Sequence, residues 1–315
     1  MVRAREFMKP SESVNQTIQY KLTTLLMVVV ALLAFAANSV LCRLALGSDS
    51  IDAASFTIIR LLSGAALLFV LAQFLNKPEK PKHLILRPLK SRKLWIAPLM
   101  LFCYALLFSL AYQTLTTATG ALILFVTVQL TMVGYQLYKG NQLNQLEWFG
   151  IAISLTGLIL LLLPGLSQPS LLGTLMMIGS GIAWAIYTLD GKQSQSPLRD
   201  TAENFVGTIP LCIALFIVTV WFAELSLSGM LWAVASGALA SGLGYAVWYF
   251  VLPRLSVPSA AVSQLSVPLL AMFGGVVVVN EAVSFGLITA GALILGGIAL
   301  VSLAPKSIKA ESESS

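Results

Sequence analysis

The chain has 315 residues, of which 57% are hydrophobic and only 10% charged, and a net charge of +6. Soluble domains carry about a quarter charged residues, so this balance excludes an ordinary water-soluble fold. The basic excess then points to topology and anionic lipid headgroups and not to nucleic acid, and a single histidine, His83, argues against histidine-based metal chemistry.

Residues 1–21 read as a mostly polar tail, followed by apolar blocks long enough for helices that cross a hydrocarbon core of about 30 Å. The first, 22–46, contains Asn38 and Arg43; it is too long for a cleaved signal, and no clear small-x-small site follows it. The second, 52–75, holds Arg60 in an otherwise apolar run, where an arginine costs about 2.5–3.5 kcal/mol at a helix centre. In the third, 94–113, Tyr104, Phe108 and Tyr112 form one helical stripe. Blocks four and five, 119–138 and 146–163, carry Gln129 at the centre of the former. The sixth, 171–190, places Trp184 and Tyr187 three apart on one face, with Asp190 at its end. Blocks 202–223, 229–250, 259–279 and 284–303 complete the series, with Gln264, Ser266 and Pro268 in the ninth and Glu281 just before the tenth. The polar tail 304–315 follows. All ten blocks are rich in Leu, Val, Ala and Gly without strict alternation, which predicts helices and not barrel strands. The fold class is an all-α membrane protein with ten transmembrane helices. Cys42, Cys103 and Cys212 fall inside the blocks and read as packing residues.

Ten crossings from a cytoplasmic N-terminus put 17 of the 19 basic residues inside and leave the outer loops without Lys or Arg. Only Arg43 and Arg60 stay within the spans. The positive-inside rule therefore places both termini in the cytoplasm of a multi-pass inner-membrane protein. The sequence also repeats. A shift of 149 lays 27–43 over 176–192, and a shift of 140 aligns 119–160 with 259–300 without a gap. Two five-helix halves, 22–163 and 171–303, follow. Because five is odd, the halves enter the membrane from opposite sides, as in many secondary transporters.

The segment 237–303, with its Gly-rich start, Tyr245 and Trp248, Ser259–Ala260–Ala261, Pro268 and Glu281, resembles the C-terminal repeat of the drug/metabolite transporter superfamily in its EamA-type branch. "AFAANSVLCRLAL" and "WAIYTLDGKQ" are similar to that family's first-helix pattern in each repeat, and "IDAASFTIIRLLSGAALL" to its second helix with an in-membrane arginine. The resemblance implies ten helices, cytoplasmic termini and export of small metabolites such as amino acids. It also implies a cavity lined by helices 1, 3, 4, 6, 8 and 9. One departure is that Val128 and Asn141 stand in the first repeat where Pro268 and Glu281 stand in the second, so the halves need not move alike.

Candidate substrate-binding residues are polar or aromatic groups near mid-depth: Asn38, Tyr104, Tyr112, Gln129, Trp184, Tyr187, Gln264 and Ser266. Each also has a structural reading, as helix–helix glue or, for Tyr187, Trp248 and Tyr249, as interfacial anchors. An aromatic cavity with amide donors suits a zwitterionic or aromatic solute, or an apolar cation over ring faces. Candidates for gating or coupling are Arg43, Arg60, Asp190, Pro268 and Glu281. Arg60 is expected about 10 Å deep and able to snorkel outward, with Asp52, Asp49 or Glu281 within approach. A channel-like pore and a membrane-embedded enzyme are the rival classes. The pore would need a continuous polar stripe, and the enzyme needs a reactive group, such as a buried carboxylate pair, that the sequence does not offer. The partners expected are the bilayer and a small solute, with no cofactor and no metal; the sequence does not speak to oligomeric state.

Overall fold

The computed structural model describes residues 10–75, 95–140, 142–162, 169–191, 196–255 and 263–304. The basic loop at 77–93, Asn141, Lys192, the 259–261 entry and the ends of both tails lie outside these residues. Among the described residues all regular structure is helical, apart from one antiparallel bridge between Ile51 and Leu225.

In chain order the helices are α1 (Pro10–Leu46), α2 (Ala53–Leu75), α3 (Ile96–Tyr112), α4 (Thr117–Tyr138), α5 (Gln145–Leu162) and α6 (Leu171–Gly191). They continue with α7 (Pro197–Gly207 and Ile209–Thr219), α8 (Leu227–Val234, Ala235–Leu243 and Gly244–Val251), α9 (Ser266–Val279) and α10 (Phe285–Leu303). Eight are long and apolar enough to cross a membrane, by length and composition; α3 and α9 are apolar but shorter. Helix α1 begins at Pro10, so the expected tail 1–21 is helical over its second half.

The irregular points have local causes. Pro210 lacks the N–H that would bind Val206, and α7 breaks at Thr208, whose hydroxyl donates to the Phe205 carbonyl at 2.7 Å. The middle of α8, Ala235–Leu243, is π-helical, a form common at functional sites. Pro268, expected in mid-helix, lies instead in the first turn of α9. Its missing N–H frees the Gln264 carbonyl, and the helix is interrupted at Leu265. The matching Val128 lies inside an unbroken α4.

One end of the bundle, termed the upper end, gathers the connections α1–α2, α3–α4, α7–α8 and α9–α10 and the start of α6. The helices that begin there are capped by side-chain oxygens. Asp52, Thr116, Ser170, Ser226 and Ser284 accept from the amides of Ser55, Thr119, Gly173, Gly229 and Leu287. Such caps satisfy first-turn N–H groups that no preceding turn can reach. Inside the bundle, α1 packs on α8 and α9, α6 on α3 and α4, α2 on α7 and α8, α3 on α7, and α5 on α10.

Candidate functional site

At mid-depth three helices meet at one hydroxyl. Tyr104, on α3, accepts hydrogen bonds from Asn38 Nδ2 (3.4 Å) on α1 and from Arg60 Nη2 (3.3 Å) on α2. Asn38 Oδ1 in turn accepts from the Ser236 hydroxyl at 2.6 Å, which reaches it from the π-helical stretch of α8. Tyr104 is held from behind by Ser180 on α6, whose hydroxyl donates to the Tyr104 carbonyl at 3.0 Å. Asn38, Arg60, Tyr104, Ser180 and Ser236 are all buried.

Rings enclose this network. Trp184 lies 4.7 Å from Tyr104 and 5.4 Å from Tyr187, and stacks on Tyr245 at 5.6 Å with 19° between planes. Tyr245 continues to Phe35 at 5.7 Å and Phe205 at 6.1 Å. Phe108 closes the other side, 5.4 Å from Tyr104.

Arg60 departs from its expected position. It is 2% exposed, and its guanidinium lies over the rings of Phe108 (5.0 Å) and Tyr104 (5.3 Å). It does not snorkel toward the α1–α2 loop: Asp49 is exposed there, and the other two expected acidic partners are engaged elsewhere. Asp52 accepts from the amides of Ser55 and Glu224, and Glu281 pairs with Arg43. Helix α8 approaches α2 closely at this level: a Cβ on Gly237 would collide with the Arg60 carbonyl oxygen and Ser63 Oγ. The side chain itself is enclosed by the Tyr104 and Phe108 rings of α3.

Arg43 and Glu281 form a second site at the upper end. Arg43 Nε donates to Glu281 Oε1 at 3.2 Å, and its Nη1 donates to the carbonyls of Tyr112 (3.0 Å) and Gln113 (3.4 Å). Both Glu281 oxygens accept from the Thr117 amide at the start of α4, at 3.0 and 2.9 Å. Glu281 is aimed there by Asn280, which takes a left-handed conformation (φ 57°) and turns its own amide and that of Glu281 onto the Gly275 carbonyl. Asparagine tolerates that conformation better than most residues. Two further ties join the upper connections. The Ser226 hydroxyl donates to the Ser50 carbonyl at 2.6 Å, and the Thr114 and Ser170 hydroxyls lie 2.9 Å apart.

Of the expected binding residues, the fold thus brings together Asn38, Tyr104, Trp184 and Tyr187. Tyr112 sits apart, under the upper ties: its hydroxyl donates to the Thr117 carbonyl at 3.2 Å, and its ring meets Phe108 edge-on at 4.7 Å. Gln129 and Gln264 are half-buried and make no side-chain hydrogen bond among the described residues. Ser266 donates to the Ser263 carbonyl at 2.7 Å, within its own helix turn. Asp190 is exposed at the lower end of α6. Ser236 and Phe35 join the site without having been singled out as binding residues. Ser236 lies in a run of small residues, and nothing in the sequence indicates that α8 turns it toward Asn38. Among the described residues no group of His, Cys, Asp and Glu could hold a metal ion.

The EamA-like transporter family model matches this chain twice, over residues 22–163 and 171–303. An uncharacterized protein of Pseudomonas aeruginosa is 44% identical over 92% of this chain and 98% of its own length. Uncharacterized transporters of Archaeoglobus fulgidus (29% identity, 70% of this chain, 79% of its own) and Bacillus subtilis (YoaV; 22%, 80% and 88%) are more distant. A solved crystal structure shares the fold, with a TM-score of 0.59 and 22% identity over 87% of this chain and 98% of its own. The apolar helices and these relatives together make the protein a multi-pass membrane protein, and the chain belongs to the EamA-like transporter family.

Proposed function

We propose that the protein is an inner-membrane secondary transporter that exports a small metabolite, such as an amino acid, by alternating access. It works through ten transmembrane helices arranged as two five-helix halves inserted in opposite directions. The observation that carries this reading is the symmetry of helix pairing. Exchanging each helix for its counterpart in the other half turns α1–α9 into α6–α4, α1–α8 into α6–α3, and α2–α8 into α7–α3, and every one of these pairs is in contact. The α5–α10 pair maps onto itself. At an offset of 140 the close approach of Gly150 to Gly297 becomes that of Ala290 to Gly157, which is also present. Ser154 donates to the carbonyl of Ile294, its own counterpart, at 3.2 Å. This is the relation expected of halves related by an axis in the membrane plane, with a substrate site between them near mid-depth.

Orientation follows from charge. Lys21, Lys139, Arg199 and Arg254 lie toward the lower end, so that end faces the cytoplasm and the upper end the outside. The Arg43–Glu281–Thr117 tie then closes the outer side in this state. A channel-like facilitator fits less well, since the mid-depth polar network is bounded by packed rings and not by a continuous polar stripe.

Comparing metabolites inside and outside overexpressing and deletion cells tests the reading. At least one small solute should accumulate outside the overexpressing cells and inside the deletion cells. A screen in which no solute follows the dosage of the protein overturns it.

A further inference from the structure

The network around Tyr104 has donors to spare and a positive charge without a counter-ion. Asn38 Oδ1 is taken by the Ser236 hydroxyl. Asn38 Nδ2 and Arg60 Nη2 both donate to the Tyr104 oxygen, and no acceptor for that hydroxyl's own proton is found among the described residues. Arg60 Nη1 is buried with no hydrogen-bond partner, and no carboxylate lies within ion-pair distance of the guanidinium among the described residues. A guanidinium carries five donors and a phenol one, and neither can be satisfied by a further donor.

From this arrangement, and resting on the transporter reading above, we propose that Arg60 and Tyr104 form the anion half of the substrate site and bind the carboxylate of a solute whose apolar body lies against Trp184. Arg60 Nη1 and the Tyr104 O–H would each donate to the carboxylate, in the charge-assisted geometry that suits a planar fork. Trp184 is half-buried and its ring centroid lies 4.7 Å from that of Tyr104, so a ligand held at the hydroxyl lies next to the indole. The same geometry disfavours an organic cation. The Arg60 charge already lies over one face of Tyr104 and one of Phe108, and a second cation beside it would meet like charge. The aromatic groups therefore serve as an apolar wall and not as a cation cage.

Three probes of matched shape separate the possibilities: 3-phenylpropionate, its amide 3-phenylpropionamide, and phenethylamine. Binding to the purified full-length protein in detergent is read by thermal shift and by quenching of tryptophan fluorescence. The carboxylate should bind about tenfold or more tighter than the amide, a ratio set by one charge-assisted contact, and the amine should not bind. Tyr104→Phe keeps both rings under Arg60 and removes only the hydroxyl. It should weaken the carboxylate about tenfold and leave the amide unchanged. Arg60→Gln should abolish the preference for the carboxylate, and if that variant does not fold the Tyr104→Phe comparison decides alone. Equal binding of carboxylate and amide, preference for the amine, or binding of none of the three overturns the assignment. The two readings fail separately. An efflux screen that returns only cations or carboxylate-free solutes overturns this assignment and leaves the transporter standing. Carboxylate binding with no exported solute does the reverse.

Discussion

Asn38 and Ser236 show how a single buried contact couples two distant parts of the chain. The Asn38 amide can orient toward Tyr104 only because its oxygen is held by the Ser236 hydroxyl, 198 positions away in sequence. Ser236→Ala removes the donor and leaves a buried amide oxygen unpaired, a loss of about 1–3 kcal/mol. We expect a lower melting temperature in detergent together with reduced efflux per folded molecule. The double variant Asn38→Leu/Ser236→Ala should regain most of the stability, because no orphaned carbonyl remains, while efflux stays low. A double variant no more stable than Ser236→Ala would show that this hydrogen bond is not what stabilises the contact.

At the scale of elements, α5 and α10 illustrate how membrane helices associate without a hydrophobic driving force, through close backbone approach at small residues. A Cβ on Gly297 would collide with the Gly150 carbonyl and Ser154, whereas one on the adjacent Gly296 meets nothing within 4 Å. Gly297→Leu and Gly296→Leu change helix propensity alike, so packing alone distinguishes them. The first should lose about 1–3 kcal/mol through overpacking, seen as a lower melting temperature and monodisperse yield, and the second should behave as wild type. Equal loss in both would place the cost in the helix itself and not in the α5–α10 contact.

The same contrast explains what is legible in the sequence. Apolar helices announce themselves because the bilayer demands a long uncharged run wherever it is crossed, and each described helix falls largely within one apolar block. Place along a helix is equally readable, so the meeting of Asn38, Tyr104 and Trp184 at one level of the bundle follows from residue type and position. Azimuth is not. A helix that is apolar all round carries no mark of which face looks inward, which is why Ser236 goes unnoticed. Tyr112 shares the face of Tyr104 but lies about two turns further along α3, under the upper ties. Arg60 fails for a related reason. Snorkelling is the expected outcome for an arginine facing lipid, but Arg60 faces α3, where the rings of Tyr104 and Phe108 receive it. Glu281, expected within approach of Arg60, pairs with Arg43 instead, because its aim depends on the left-handed turn at Asn280.

For the molecule as a whole, the upper end is held by ties that cross between the halves. Glu281, from the second half, bridges Arg43 and the Thr117 amide of the first; Asp52 and Ser50 bind Glu224 and Ser226. On the proposed alternating-access reading, these ties break when the upper end opens. Glu281→Gln keeps the shape but replaces one carboxylate oxygen with a donor and removes the charge that pairs with Arg43. Losing about 1.4 kcal/mol of charge-assisted bonding raises the open population about tenfold. Cys42, next to Arg43, is fully buried in this state and reports on that change. In a background where Cys103 and Cys212 are replaced by alanine, Cys42 should resist a membrane-impermeant thiol reagent added outside cells. The Glu281→Gln variant should be modified about tenfold faster. Labelling that appears only when the reagent reaches the cytoplasmic face would reverse the orientation. Equal and slow labelling of both proteins, with efflux unchanged, would show that the Arg43–Glu281 pair fixes the α9–α10 turn and does not close a gate.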